Sequence, residues 1–362
     1  MSADTVIDGL PYPIVIAADA AHTLPRLVER RRSALVVYDR QVADRARAIA
    51  ASLASAGLSL AEPIAIQAGE RTKRLDSAAS LYDAFVERGA ERSTLIVAVG
   101  GGTTTDLAGY VAATFMRGLP WAAVPTTILA MADAAIGGKT GVDLRSGKNL
   151  VGAFWDPVAV VADVRSLETL PDRERRTGLA EAIKCAIIAD PDLLERIASM
   201  PEGASPEWWR DIVAEAARVK AQIVAADPRE TGRRAVLNLG HTVGHALEAA
   251  TSYRMPHGEA VAVGIRAAGL MSRTRGDWPP ADHVRVLNVM RRVGLPVFAR
   301  TVKADAVMSG IARDKKVVDG RVRFVLPVSL GDVRHGVEVE TAIALRAIES
   351  CTAPPSGTEL TG

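Results

Sequence analysis

Short apolar runs alternate with longer amphipathic stretches over the first half of the chain. ALVVY at 34–38, PIAI at 63–66, TLIVAV at 94–99, WAAVP at 121–125 and VAVVAD at 158–163 have the length of strands. The run at 94–99 is the clearest, because its apolar residues do not alternate with polar ones, as expected of a strand buried on both faces of a parallel sheet. Between these runs lie an Ala-rich helical pattern at 42–56, closed by Gly57, and a segment at 77–88 that sets Leu81 and Phe85 one turn apart before Gly89. Strand and helix signals in alternation predict an α/β domain.

From Pro171 the pattern changes. Helical periodicity is predicted at 174–199, 206–226, 241–250, 259–275, 282–293 and 304–313. The second of these turns Ile212, Val213, Ala216, Val219 and Ile223 inward. The only later strand-like piece is 321–333, read as a hairpin. The expected organisation is an α/β domain over 1–170, a mainly helical domain over 171–350, and a polar Pro/Gly/Ser tail over 351–362 without fixed structure.

Composition narrows the function. Lys plus Arg is 44 and Asp plus Glu is 42 in 362 residues, so a net charge of +2 gives no field for nucleic acid. An anionic ligand must be held by locally placed cations. Aromatics are 4%, which argues against base-stacking platforms. The two cysteines, Cys185 and Cys351, make no disulfide framework, and Cys185 reads as a packing residue. No apolar run reaches the ~18 residues of a membrane span, and the first residues carry no basic and apolar leader. A soluble, cytoplasmic protein is expected.

Three stretches carry candidate chemistry. The strand at 94–99 runs into Gly100, Gly101 and Gly102 and then TTTD, with Asp106 in the first turn of a helix. Such a turn lets a ligand's phosphates approach backbone N–H groups and the positive helix end. It is not a GxGxxG. The segment MADAAIGGKTGVDLRSGKNLVGAF mixes Asp133, Gly137, Gly138, Lys139, Lys148 and Asn149, and reads as a loop that holds something. Residues 237–259 hold half of the six histidines: His241 and His245, four apart, then His257. Imidazoles four apart on a helix suit zinc. With an acid such as Glu181 in GLAEAIK, a three-ligand set would leave the fourth position open, as catalytic zinc requires. Spacing alone does not select Glu181 among 42 acids, nor say which histidine is left out.

Taken in order, GGGTTTDLAG, MRG, PTTILAMADAAIGGKTGVDLRSGKNLVGAFWDP, LPDRERRTGLAEAIK, LNLGHTVGHALE, HGEAVAVG and DKK resemble the 3-dehydroquinate synthases, which are sugar phosphate cyclases. The resemblance runs from about residue 30 to about 330. It implies a Rossmann-like NAD-binding α/β domain followed by a mainly helical metal-binding domain, with the active site in the cleft between. It implies bound NAD, one divalent metal (zinc, with cobalt as the alternative) and a homodimer. By motif position the ligands would be Glu181, His241 and His257, and His245 would lie by the substrate.

The implied substrate is a phosphorylated sugar acid, 3-deoxy-D-arabino-heptulosonate 7-phosphate. The implied course is transient oxidation by NAD, loss of phosphate, reduction, ring opening and aldol closure. By the same matching, Arg117, Lys139, Lys148, Asn149, Lys220, Arg234, Asn238, His245 and Lys315 or Lys316 would contact substrate. Lys139, Lys184, His245, Arg234, Asn238 and Asp133 would take part in catalysis. The cofactor would be met by Asp39, Glu70, Lys73, Gly100, Gly101, Gly102, Asp106, Thr126, Thr127, Lys139, Lys148 and Thr169. Asp39 is the natural partner of a ribose hydroxyl, which favours NAD over NADP.

Two local departures, GGGTTTD for GGGVVGD and KCA for KYG or KTA, bring aminodehydroquinate synthases forward as the first alternative. Another sugar phosphate cyclase or a metal-dependent polyol dehydrogenase is a more distant one.

Overall fold

The structure, a computed structural model, describes residues 4–67, 69–313, 317–318 and 321–352. The first part runs β1 (Thr5–Ile7), β2 (Ile14–Ala17), α1 (Ala20–Leu27), β3 (Ser33–Asp39), α2 (Ala43–Ser55), β4 (Ser59–Leu60), β5 (Ile64–Ile66), α3 (Leu75–Glu87), β6 (Leu95–Gly100), α4 (Gly102–Thr114), β7 (Trp121–Pro125), β8 (Lys139–Leu144), β9 (Gly147–Phe154) and β10 (Ala159–Asp163). Eight of these strands make one sheet in the order β1-β2-β10-β7-β6-β3-β4, with β5 also on β3. All its pairings are parallel except β1 with β2. This is the α/β sheet that the apolar runs predict. β6 is buried along its whole length, so both faces of the sheet are covered there. On one face Val36, Leu95, Val97 and Val124 share a cluster with Leu24, Ile49 and Leu53 from α1 and α2. Each such side chain stabilises the fold by about 1.5–3 kcal/mol when fully buried.

The segment expected as a loop is ordered. Ala130–Ala134 is a π-helical turn carrying Asp133, and β8 and β9 form a two-stranded hairpin. Glycines and charges concealed the hairpin, because Gly141 faces Gly152 across the ladder and lets the two backbones approach.

Past Pro171 the chain is mainly helical: α5 (Asp172–Ala189), α6 (Pro191–Ala198), α7 (Pro206–Ala226), α8 (His241–Ala250), α9 (His257–Thr274), α10 (Pro280–Arg292), α11 (Ala304–Arg313), then β11 (Val317–Val318), β12 (Arg321–Ser329), β13 (Asp332–Glu338) and α12 (Thr341–Thr352). The pattern at 174–199 is two helices, not one. Asp190 caps α6 by accepting from the Leu193 N–H at 3.1 Å, and Pro191 opens it. Cys351 and Thr352 are not the start of a tail but the buried last residues of α12. The remainder of that expected tail, 353–362, lies outside the described residues. None of the described helices is long and apolar enough to cross a membrane.

The molecule divides into two compact units. One takes the described residues up to 175 together with 204–225; the other takes 176–203 and those from 226 on. In the second unit His283 of α10 is 2% exposed and meets Trp278 edge to face at 5.3 Å. Burial, with Arg273, Arg266 and Arg291 nearby, pushes its imidazole down to about 4. The unfolded chain therefore binds this proton more tightly. The contribution of His283 is whole above about pH 6.5 and is lost as the pH falls towards 4, a loss of ~3 kcal/mol. His283→Gln should flatten the acid limb of the unfolding free energy measured against pH. An unchanged slope would show that other groups set it.

Candidate functional site

The second unit gathers three residues far apart in sequence. Glu181 comes from the middle of α5, His241 is the first residue of α8 and His257 the first of α9. Two glycines make this convergence sterically feasible. A Cβ on Gly258 would lie 1.9 Å from the Thr177 carbonyl oxygen of α5, and one on Gly264 would lie 2.0 Å from the Gly240 carbonyl oxygen at the head of α8. Only hydrogen at those positions lets α9 lie against both neighbours.

The ligand atoms of Glu181, His241 and His257 all lie within 4.8 Å of one another. Glu181 Oε1 is 3.6 Å from His241 Nε2 and 3.4 Å from His257 Nε2. Tetrahedral ligands at the usual zinc distances are separated by ~3.3 Å, so these gaps suit an ion at their centre. The far side of each imidazole is tied. His241 Nδ1 meets the Leu239 carbonyl oxygen at 3.1 Å, and His257 Nδ1 meets Glu248 Oε2 at 3.2 Å. With Nδ1 carrying the proton, both rings present the Nε2 lone pair to Glu181. Lys184, one turn along α5 and 1% exposed, bonds Glu181 Oε2. Burial and the Lys184 charge hold His241 well below the usual imidazole range, as a neutral ligand must be. At His257 burial works the same way, but hydrogen bonds to Glu181 and Glu248 outweigh it and raise the ring to about 10.

His245 is half-buried next to this set, its ring 5.3 Å from His241 and 6.0 Å from His257. It shares a ligand grouping with Glu248 and His257 rather than with Glu181. Arg234 is 1% exposed, in the turn Arg233–Asn238 just ahead of α8. Its Nη1 donates to the Pro228 carbonyl at 2.6 Å. Asp227 anchors that turn by accepting the backbone N–H groups of Thr231, Gly232 and Arg234, which hold its carboxyl down to about 2. Asn238 Nδ2 donates to Glu230 Oε1 at 2.9 Å. Lys315 and Lys316 lie outside the described residues.

In the first unit a second set converges. Lys73, 4% exposed, bonds both Asp106 Oδ2 and Asn149 Oδ1. Burial would lower this lysine, but the Asp106 and Glu70 carboxylates outweigh it and keep it charged. Lys148 pairs with Glu70 at 2.7 Å, and Asp143 accepts from the Asn149 N–H at 2.8 Å. Lys220 of α7 grips Asp133 through both its side chain at 2.8 Å and its carbonyl. Thr126 N–H donates to the Gly100 carbonyl at 3.0 Å, tying PTT to the glycine turn.

At that turn a Cβ on Gly100 would meet Thr104 Oγ1 at 2.6 Å, and Gly101, the N-cap residue just ahead of α4, has no side chain to cap the helix. Asp39 ends β3, whose Tyr38 is in register with Val99 of β6. Its carboxyl is raised by burial, against one bond from the Gln41 N–H. The bare backbone, the α4 N-terminus and a buried acid at the ends of adjacent parallel strands suit a dinucleotide. Lys139 is exposed at the start of β8. Arg117 is exposed on a turn where Met116 and Arg117 have φ of 49° and 68°. Thr169 bonds the Ser166 carbonyl at 3.3 Å. Among the described residues neither Arg117 nor Thr169 bonds into the Lys73 set.

Glu248 is absent from the sequence reading of the site. Glu248 had a legible signal, an acid two turns after His241 on the same helix face.

Residues 63–177 match the 3-dehydroquinate synthase N-terminal family, and residues 178–317 match the 3-dehydroquinate synthase C-terminal family. A 3-dehydroquinate synthase of Symbiobacterium thermophilum is 44% identical over 333 residues, covering 89% of this chain and 92% of the relative. One of Gloeobacter violaceus is 45% identical over 303 residues, covering 83% and 84%. Among solved structures, a 2-deoxy-scyllo-inosose synthase complexed with carbaglucose-6-phosphate, NAD+ and Co2+ superposes with a TM-score of 0.86 at 26% identity, covering 96% of this chain and all of that one. The 2-epi-5-epi-valiolone synthase of Streptomyces hygroscopicus, with NAD+ and Zn2+ bound, gives 0.84 at 28% identity, covering 97% of each. With both halves of the family matched in order and relatives this similar along most of its length, the chain belongs to the 3-dehydroquinate synthase family.

Proposed function

We propose that the protein is a 3-dehydroquinate synthase. It converts 3-deoxy-D-arabino-heptulosonate 7-phosphate to 3-dehydroquinate and phosphate, with NAD and one zinc ion bound and no net consumption of either. The observation that carries this reading is the Glu181, His241 and His257 set, whose Nε2 and Oε1 atoms face one another with both Nδ1 atoms tied behind. When bound there, the cation supplies Lewis-acid polarisation of substrate hydroxyls, and NAD at the glycine turn supplies a reversible hydride acceptor.

The protein's own groups do the rest. Lys184 neutralises one oxygen of Glu181 and leaves the other for the ion. His245, beside the ligand set, is placed to meet the substrate. Arg234 and Asn238, fixed by Pro228 and Glu230, present donors for a carboxylate or phosphate. In the first unit Lys148 and Asn149 add polar donors on the hairpin, and Asp133 is oriented by Lys220.

Incubation with the heptulosonate phosphate should release one phosphate per product molecule from enzyme loaded with NAD and zinc, with no accumulation of NADH. Sustained NADH formation from simple polyols would assign the protein to the polyol dehydrogenases instead. Faster phosphate release from the amino analogue of the substrate would assign it to aminodehydroquinate synthesis.

A further inference from the structure

We propose that Glu248 is the positioning residue of the metal centre: its carboxylate fixes the tautomer and rotation of His257 without itself binding the ion. The inference rests on the reading that Glu181, His241 and His257 hold a divalent cation. Of the three ligands His257 is the least enclosed, with 28% of its side chain exposed, and it opens a helix. Nothing about a helix's first residue fixes its ring, so an outside contact must do so. His241 has the Leu239 carbonyl behind it at 3.1 Å. The counterpart behind His257 is Glu248 Oε2 at 3.2 Å, on a side chain only 3% exposed.

Glu248 is itself well placed for this. It lies on α8, seven residues after His241, so one helix face carries a ligand at its head and the orienter of another two turns on. Its carbonyl accepts from the Tyr253 N–H at 2.7 Å and the Thr251 hydroxyl at 3.0 Å. Those bonds pin the reversal into α9, where Ser252 and Tyr253 have φ of 51° and 58°. The same residue thus fastens both the backbone that delivers His257 and the ring itself.

A rival geometry exists, since His245, Glu248 and His257 also bring their ligand atoms within 4.8 Å. The orientation of the ring decides between them. Glu248 faces Nδ1 while Glu181 faces Nε2. A neutral imidazole that binds an ion through Nε2 carries its proton on Nδ1 and needs an acceptor there.

The test loads metal-free wild type, Glu248→Ala and Glu248→Gln with Zn2+ or Co2+ against a chromogenic chelator, and follows thermal unfolding with and without metal. Glu248→Ala should weaken cation binding about 10- to 100-fold. Glu248→Gln, whose amide oxygen still accepts, should lose less. The rise in unfolding temperature on adding metal should shrink for Glu248→Ala, over and above any drop in its metal-free midpoint from losing the contact with His257. Cation binding by Glu248→Ala as tight as by wild type would overturn the proposal, as would a loss confined to the metal-free midpoint. A second equivalent of Co2+ in wild type that Glu248→Ala lacks would make Glu248 a ligand, and would overturn it too. If wild type itself takes up no cation, the metal reading falls and this inference with it.

Discussion

Replacement of His241 by alanine is expected to remove bound metal and turnover together. His241 is neutral, 8% exposed, and aims Nε2 at Glu181 from the first turn of α8. Its loss leaves two ligands, too few to hold an ion against water. Lewis-acid stabilisation is worth several kcal/mol, so turnover should fall by at least ~1000-fold. Metal analysis of the purified variant should read near zero while its circular dichroism matches wild type. His245→Ala provides the contrast. That ring is next to the set but groups with Glu248 and His257, so its loss should spare the metal and lower turnover. Loss of the metal from His245→Ala would make the four-residue histidine spacing the true chelate.

Gly258→Ala should be nearly as damaging, although the substitution adds one methyl group. That methyl would lie 1.9 Å from the Thr177 carbonyl oxygen and 2.6 Å from its carbon. Both are backbone atoms in α5, so no rotamer change relieves the clash, and α9 must move away. The cost should approach ~3 kcal/mol, the upper part of the range for overpacking. The shift also carries His257, the adjacent residue, away from Glu181, one turn beyond Thr177. A lowered unfolding midpoint and weaker metal retention should therefore appear in the same variant. Wild-type metal affinity in a destabilised Gly258→Ala would separate packing from the site.

The strands and helices that were legible in the sequence are those whose apolar pattern is set by burial on fixed faces. β6, at Leu95–Gly100, and α7, at Pro206–Ala226, are of this kind. The hairpin of β8 and β9 was not legible, because its glycines serve close strand approach and yet read as loop signals. The short strands β1 and β2 and the closing helix α12 carried no motif to mark them. At the site, the four-residue spacing of His241 and His245 was visible, but the spacing itself did not say which of them joins Glu181; only the family resemblance implied that His241 does so with His257. Which histidine meets Glu181 depends on the way α9 folds back across α8, a long-range contact that local periodicity does not encode. Glu248 went unseen because an acid on a helix usually reads as solvent-facing, and only the packing of α9 shows it to be 3% exposed.

The division into units also bears on how the protein can be made. The backbone leaves the first unit at residue 175, returns to it for 204–225, and leaves again at 226. Three covalent crossings join the two units, so a single protease nick cannot release either one whole. A gene truncated after residue 175 would encode a first unit that lacks Lys220, the partner of Asp133. On the ribosome the first unit cannot complete itself until the nascent chain has passed residue 225, by which point α5 and Glu181 of the second have already emerged.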